Sequence, residues 1–127
     1  MNISDLNRAI NQVWSLSGMP DVNMYALQGH ETSRKDFIVF NVLGDNTFET
    51  NCDQHGQVAV NFNVYSCRNL TALYNIESRI RTIYDDYAVV IDDIEIKRFH
   101  YQSSNLLIDP AHPNILQMLL SYNVWYV

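Results

Sequence analysis

Cys52 and His55 stand in a C-x-x-H spacing, which is half of a zinc site, but no second pair at ligand spacing completes it. His30, His55, His100 and His112 are otherwise scattered. Two acidic pairs, Asp85 with Asp86 and Asp92 with Asp93, bracket the short apolar turn Tyr87 to Ile91. Paired carboxylates serve acid/base chemistry or hold a hard cation such as calcium, whereas successive acids at a helix end and a strand start more often face water. The glycines at 18, 29, 44 and 56 fit no phosphate-cradling loop, and no serine sits in G-x-S-x-G. The residues therefore point away from an enzyme, with no catalytic residue, no cofactor and no metal expected.

With 127 residues, the chain reads as a single domain spanning 1–127, long enough for a core without covalent staples. The apolar share of 47% and charged share of 17% are those of a globular protein, and no apolar run is long enough to span a membrane. No signal-peptide pattern opens the chain, so a soluble, non-secreted domain is expected, with Cys52 and Cys67 as reduced thiols. Its formal charge is −6, with only eight Lys and Arg in all, which argues against nucleic acid as a binding partner because phosphates need clustered cations.

Stepping along the chain, Ile3, Leu6, Ile10, Val13 and Leu16 recur at helical spacing. Ser4 is a plausible N-cap, Trp14 widens the buried face, and Gly18 with Pro20 closes the helix. Met24 to Leu27 suits an edge strand. FIVFNVL, Phe37 to Leu43, is apolar on both faces and reads as a central or covered strand. The polar stretch GDNTFETNCDQHG, Gly44 to Gly56, reads as a long loop of the kind that carries an interaction or makes a surface excursion.

From Gln57 the alternation is strict: Val58, Val60, Phe62 and Val64 point one way, and Ala59, Asn61, Asn63 and Tyr65 the other. Asn69 can cap a helix with the stripe Leu70, Leu73, Ile76, Ile80, Ile83 and Tyr84. The joint Ser66–Cys67–Arg68 is so short that this helix must fold back over the Val58 to Val64 face. Ile94 and Ile96 give way to Phe99 and Tyr101, a change of phase that predicts a bulge or a strand end near Arg98. A proline-bearing loop, Gln102 to Asn114, follows. The last strand sets Leu116, Met118, Leu120, Tyr122, Val124 and Tyr126 against Gln117, Leu119, Ser121, Asn123 and Trp125.

The expected fold class is α+β: a single mixed, mostly antiparallel sheet of four to five strands with two helices packed on one face. Its open face would show Asn61, Asn63, Tyr65, Ser121, Asn123 and Trp125, polar residues studded with aromatics. With Phe48 of the loop, they form the candidate assembly interface. A half-solvated sheet face with no partner has the same composition.

This order of elements resembles the tail-terminator, or tail-completion, proteins of long-tailed bacteriophages and prophages. The features that carry the resemblance are the N-terminal helix, the two-stranded arm Phe37 to Val64, and the passage VNFNVYSCRNLTALYNIESRI. It continues with IEIKRFHYQ, the proline-bearing loop and the closing strand LLSYNVWYV. In that family an alternating strand ends in an aromatic and a Ser/Asp/Asn-rich cap, which Val60, Phe62, Val64, Tyr65, Ser66 and Asn69 match. The Cys52 and His55 segment and Gln102 to Asn114 depart from the pattern.

The resemblance implies a closed ring of self-contacts, usually six copies, that sits on the tail tube protein, ends tube polymerisation and meets the head-tail connector or neck protein. DNA would only pass through its pore, no membrane is involved, and the location would be the virion, after assembly in the host cytoplasm. A head-completion or neck protein joining head and tail is the alternative within the same setting. A small monomeric binding module or enzyme built on His100, His112 and the Asp85 to Asp93 turn is the alternative of another class. One expectation follows from the helical stripe alone: Ile76→Asp puts an unpaired charge into the helix-to-sheet seam and costs on the order of several kcal/mol. Loss of the cooperative thermal transition checks it.

Overall fold

The computed structural model describes residues 3–26, 36–49, 54–66, 69–91, 94–108 and 115–126, with side chains at all of these except 3, 44–49, 54, 55, 91 and 94. His30, Cys52, Cys67, Asp92, Asp93 and His112 lie outside this set, as does the His55 side chain. In chain order the elements are α1 (Ile3–Ser17), β1 (Asn23–Ala26), β2 (Phe37–Glu49), β3 (Gln54–Ser66), α2 (Leu70–Tyr84), β4 (Val89–Ile91), β5 (Ile94–Ile108) and β6 (Leu116–Tyr126). The strands form one six-stranded sheet in the order β1-β2-β3-β6-β5-β4. Only β1 with β2 is parallel; every other pairing is antiparallel.

The α+β class and the mixed, mostly antiparallel sheet agree with expectation, while the strand count is six rather than four to five. The additional strand is β4, within the stretch expected to turn; three residues are too few to show a period. A second correction concerns Gly44 to Gly56. Most of it is ladder, because β2 and β3 stay paired out to Glu49 and Gln54, with a register shift between Leu43 and Asn46. Likewise, the expected loop from Gln102 is strand as far as Ile108. Backbone pairing needs no apolar face, so strands that run past the core lose the alternation that betrays a strand.

The core lies between the helices and one sheet face. Ile38, Phe40 and Val42 from β2, Val58, Val60, Phe62 and Val64 from β3, and Met118, Leu120, Tyr122 and Val124 from β6 are all buried. Leu73, Ile76, Ile80 and Tyr84 of α2 press onto them, and Leu6, Ile10 and Trp14 of α1 complete the layer. As the short joint after Ser66 requires, α2 folds back over β3 and β6. Asn69 caps it, its Oδ1 accepting from the Ala72 N–H at 2.8 Å.

The α1 stripe ends earlier than its spacing suggests: Leu16 is 87% exposed. Trp14 closes that end instead, its Nε1–H donating to the Val22 carbonyl at 2.8 Å. Ser4 stands inside the helix rather than capping it. Leu70, expected in the α2 stripe, is exposed in its first turn. Arg79 of α2 donates from Nε to the Ser17 carbonyl at 2.9 Å and so ties the two helices together.

Three features constrain the chain locally. Asp86 has φ 60°, a left-handed conformation that Asp tolerates better than most residues, and this reverses the chain after α2. Of the bulge or strand end expected near Arg98, the structure has the bulge, a register shift between Ile96 and Arg98; a second lies between Tyr101 and Ser103. At Gly56 a Cβ would collide with the ring of Tyr126, so the end of β6 can close over β3 only where no side chain stands.

Burial raises the pKa of the Tyr84 hydroxyl, and burial with the hydrogen bond to Asp85 raises that of Tyr122. Below the ordinary phenol value of about 10, both hydroxyls are neutral in folded and unfolded chain, and their full contribution to stability is present. Above it, the unfolded chain ionises first, so stability falls as pH rises. Urea midpoints should therefore drop above about pH 10, and less steeply in Tyr84→Phe, as equilibrium unfolding at graded pH will show.

Candidate functional site

With both helices on one side, no helix or strand among the described residues covers the opposite face of the sheet. Register assigns its residues in rows. Asn41, Asn61, Ser121 and Ser103 form one row, and Leu43, Ala59, Asn123 and His100 the next towards the arm. Gln57, Trp125 and Arg98 follow beyond them. On the other side come Val39, Asn63, Leu119 and Asn105, then Phe37, Tyr65, Gln117 and Leu107.

The face is neither idle nor uniformly polar. Phe37 and Tyr65 stack at 4.9 Å between ring centroids. Gln117 crosses from β6 to β3, its Nε2 donating to Asn63 Oδ1 at 3.1 Å and to the Tyr65 hydroxyl at 3.2 Å. These bonds fix the aromatic rings of the lower rows. Trp125 is 44% exposed at the arm end. The described side chains of this face thus offer amide and hydroxyl hydrogen-bonding groups beside aromatic rings.

The structure brings Asn61, Asn63, Tyr65, Ser121, Asn123 and Trp125 onto this one face, as their positions in alternating strands imply. Phe48 does not join their rows: it lies in the β2–β3 arm, paired with His55, and its side chain is outside the described set. Phe37, Gln117, Leu119 and His100 share the face without belonging to the candidate interface. The alternation of β6 already puts Gln117 and Leu119 there, parity along β2 adds Phe37, and the place of His100 depends on the β5 bulges.

On the helix side, a second polar cluster is structural in form. Asp85 accepts from Arg81 Nη2 at 2.9 Å and from the Tyr122 hydroxyl at 2.6 Å. The Arg81 guanidinium lies 3.6 Å over the Tyr101 ring. The hydrogen bond to Asp85 raises the Arg81 pKa, so the cation is held throughout. Asp86 pairs with Arg98 at 2.6 Å. His100 points to the open face and Asp85 to the helix side, so these members of the candidate imidazole–carboxylate site are not gathered. Among the described residues, no group of three or more His, Cys, Asp or Glu is placed to hold a metal ion. Among the described residues, the lining of a groove between the end of α1 and β1, which includes Trp14, Met19, Asn23 and Tyr25, holds no carboxylate or imidazole.

No protein-family model matches the chain, and no curated protein sequence matches it. Among solved structures, a chain from the virion of a native gene transfer agent (GTA) particle has a similar fold, with a TM-score of 0.64 over 98% of this chain and 90% of that one. Sequence identity between them is 8%, so the likeness is one of fold. No helix among the described residues is long and apolar enough to cross a membrane.

Because the open-face side chains stand outside the core, Trp125→Ala should shift the folding free energy by less than about 1 kcal/mol. Chemical denaturation of the two proteins side by side checks this.

Proposed function

We propose that this chain is a structural protein of a phage-like particle, forming a closed ring on the end of a tail tube. There it ends tube polymerisation and joins the tail to the head-tail connector. The observation that carries the reading is the fold shared with a chain of the gene transfer agent virion over nearly the whole of both chains. The order of elements in the sequence supports it independently.

The physical requirements of such a role are also met without any reactive group. A ring subunit needs heterologous contacts that close, together with surfaces left over for the tube and the connector. Two helices on one side of the sheet leave the face of Tyr65, Asn61, Asn123 and Trp125, and the sheet edges, for contacts of these kinds. A formal charge of −6 suits a conduit for DNA, since repulsion keeps passing phosphates from adhering. A neck protein joining head and tail would use the same surfaces, and its attachment point distinguishes it.

The test is the length of tail tubes polymerised in the presence of the purified chain, with particle images of the tube ends. Substoichiometric protein should arrest growth and appear as a ring on one tube end. Trp125→Ala should cap less well while remaining folded. A protein that stays monomeric, ignores tube ends and leaves tube length unchanged would overturn the reading. Binding at the portal side alone would favour the neck role.

A further inference from the structure

A sheet edge presents a row of backbone N–H and C=O groups that invites another strand, and proteins guard such edges with charge, proline or a covering element. Among the described residues, both outermost strands are far shorter than the strands they cover. β1 pairs only Phe37 to Phe40 of β2. β4 pairs only Ile94 to Ile96 of β5, and Asp86 and Tyr87 extend the cover to Phe99 through bonds at 3.0 and 3.1 Å. Among the described residues, no strand pairs with the outer edge of β2 from Asn41 to Glu49, or of β5 from His100 to Ile108.

These two edges are equal in length and lie on opposite margins of one sheet. They also lie at opposite ends of it: Glu49 is at the end marked by Gly56 and Tyr126, and Ile108 at the end marked by Ser66 and Leu116. Resting on the ring reading above, we infer that the edges are the two halves of the ring contact. His100–Ile108 of one copy pairs with Asn41–Glu49 of the next, and the sheet continues from subunit to subunit.

Strand direction supports this occupant. Three successive antiparallel pairings separate β2 from β5, so the two strands run in opposite senses. Copies set side by side in the same orientation therefore bring β5 against β2 as an antiparallel ladder, the stronger kind. Overlap of the free halves requires the second copy to slide along the strands. The slide makes a lap joint, in which β4 of one copy and β1 of the next pass clear of each other at opposite ends. In a closed ring, strand tilt absorbs the offset, as shear does in a barrel.

Chemistry supports it too. In sequence, Asn41–Glu49 holds two acids, Asp45 and Glu49, and no base, whereas His100–Ile108 holds no acid and is preceded by Arg98 and by Lys97, which pairs with Glu95. Antiparallel overlap sets residue 49 of one copy opposite residue 100 of the other, two residues from Arg98. Arg98 and its present partner Asp86 are 53% and 72% exposed, so that pair is weak and exchangeable. The edges also show Leu43, Leu106, Leu107 and Ile108 to solvent, and His100–Ile108 carries no proline, lysine or arginine to deter pairing.

Complementation tests the inference, using Leu43→Lys to block the β2 edge and the double change Leu107→Lys with Ile108→Lys to block the β5 edge. All three side chains are exposed, so far-UV circular dichroism and thermal midpoint should match the parent. Each variant alone should be monomeric in sedimentation under conditions where the parent forms rings, free or on tube ends. Mixed, they should form a one-to-one dimer through the single unblocked pair of edges. A proline pair adds a second arm: successive N–H groups in a strand face opposite sides, so one of Ser104→Pro and Asn105→Pro should abolish rings without unfolding the chain.

Rings that persist in every edge variant would overturn the edge contact and leave the ring reading standing. Two-fold dimers of the parent in place of rings would overturn both, as would a parent that never assembles.

Discussion

One side chain joins all the layers of the structure. Tyr84, at the last turn of α2, is fully buried and donates to the Ile10 carbonyl of α1 at 2.7 Å. Its ring meets Phe62 of β3 at 4.9 Å and Phe99 of β5 at 5.8 Å. A phenol in this setting supplies a large apolar body and a polar tip that must find a partner, and the second lone pair of a helical carbonyl provides it. Both helices are thereby fixed to each other and to the same sheet face. The one-sidedness of the molecule, with all its consequences for the bare face, depends on this placement.

Much of this arrangement is legible in the residues, for a reason that differs from element to element. β3 and β6 bury one face and wet the other, so their alternation reports both the strand and its orientation. The α2 stripe and the Asn69 cap are equally plain. The far half of β5 is not, because Leu106, Leu107 and Ile108 are all exposed and no alternation marks one side as core. The β2–β3 arm is not either, because GDNTFETNCDQHG carries the residue types of a loop while much of its backbone keeps a ladder. β4 is too short for any period to emerge, and the exposure of Leu16 goes with Trp14 closing that end of α1 through its bond to the Val22 carbonyl, a pairing that helical spacing does not report.

The candidate face was legible to the same extent as its strands. Asn61, Asn63, Tyr65, Ser121, Asn123 and Trp125 follow from parity within two strands. The bonds from Gln117 to Asn63 and Tyr65, and the stack of Phe37 on Tyr65, require knowing that β6 and β2 flank β3, and this depends on pairing rather than on local pattern. The imidazole and carboxylate residues illustrate the opposite case: nearness in sequence suggested a cluster, and the β5 bulges and helix packing send His100 and Asp85 to different sides.

The antiparallel run through β2, β3, β6 and β5 also makes the domain mechanically anisotropic. A load drawn along the strands strains many ladder bonds together, whereas a load drawn across them opens the bonds one after another. This chain should therefore resist tension parallel to its strands far better than peeling at its margins, and the short β1 and β4 would be the first elements to detach.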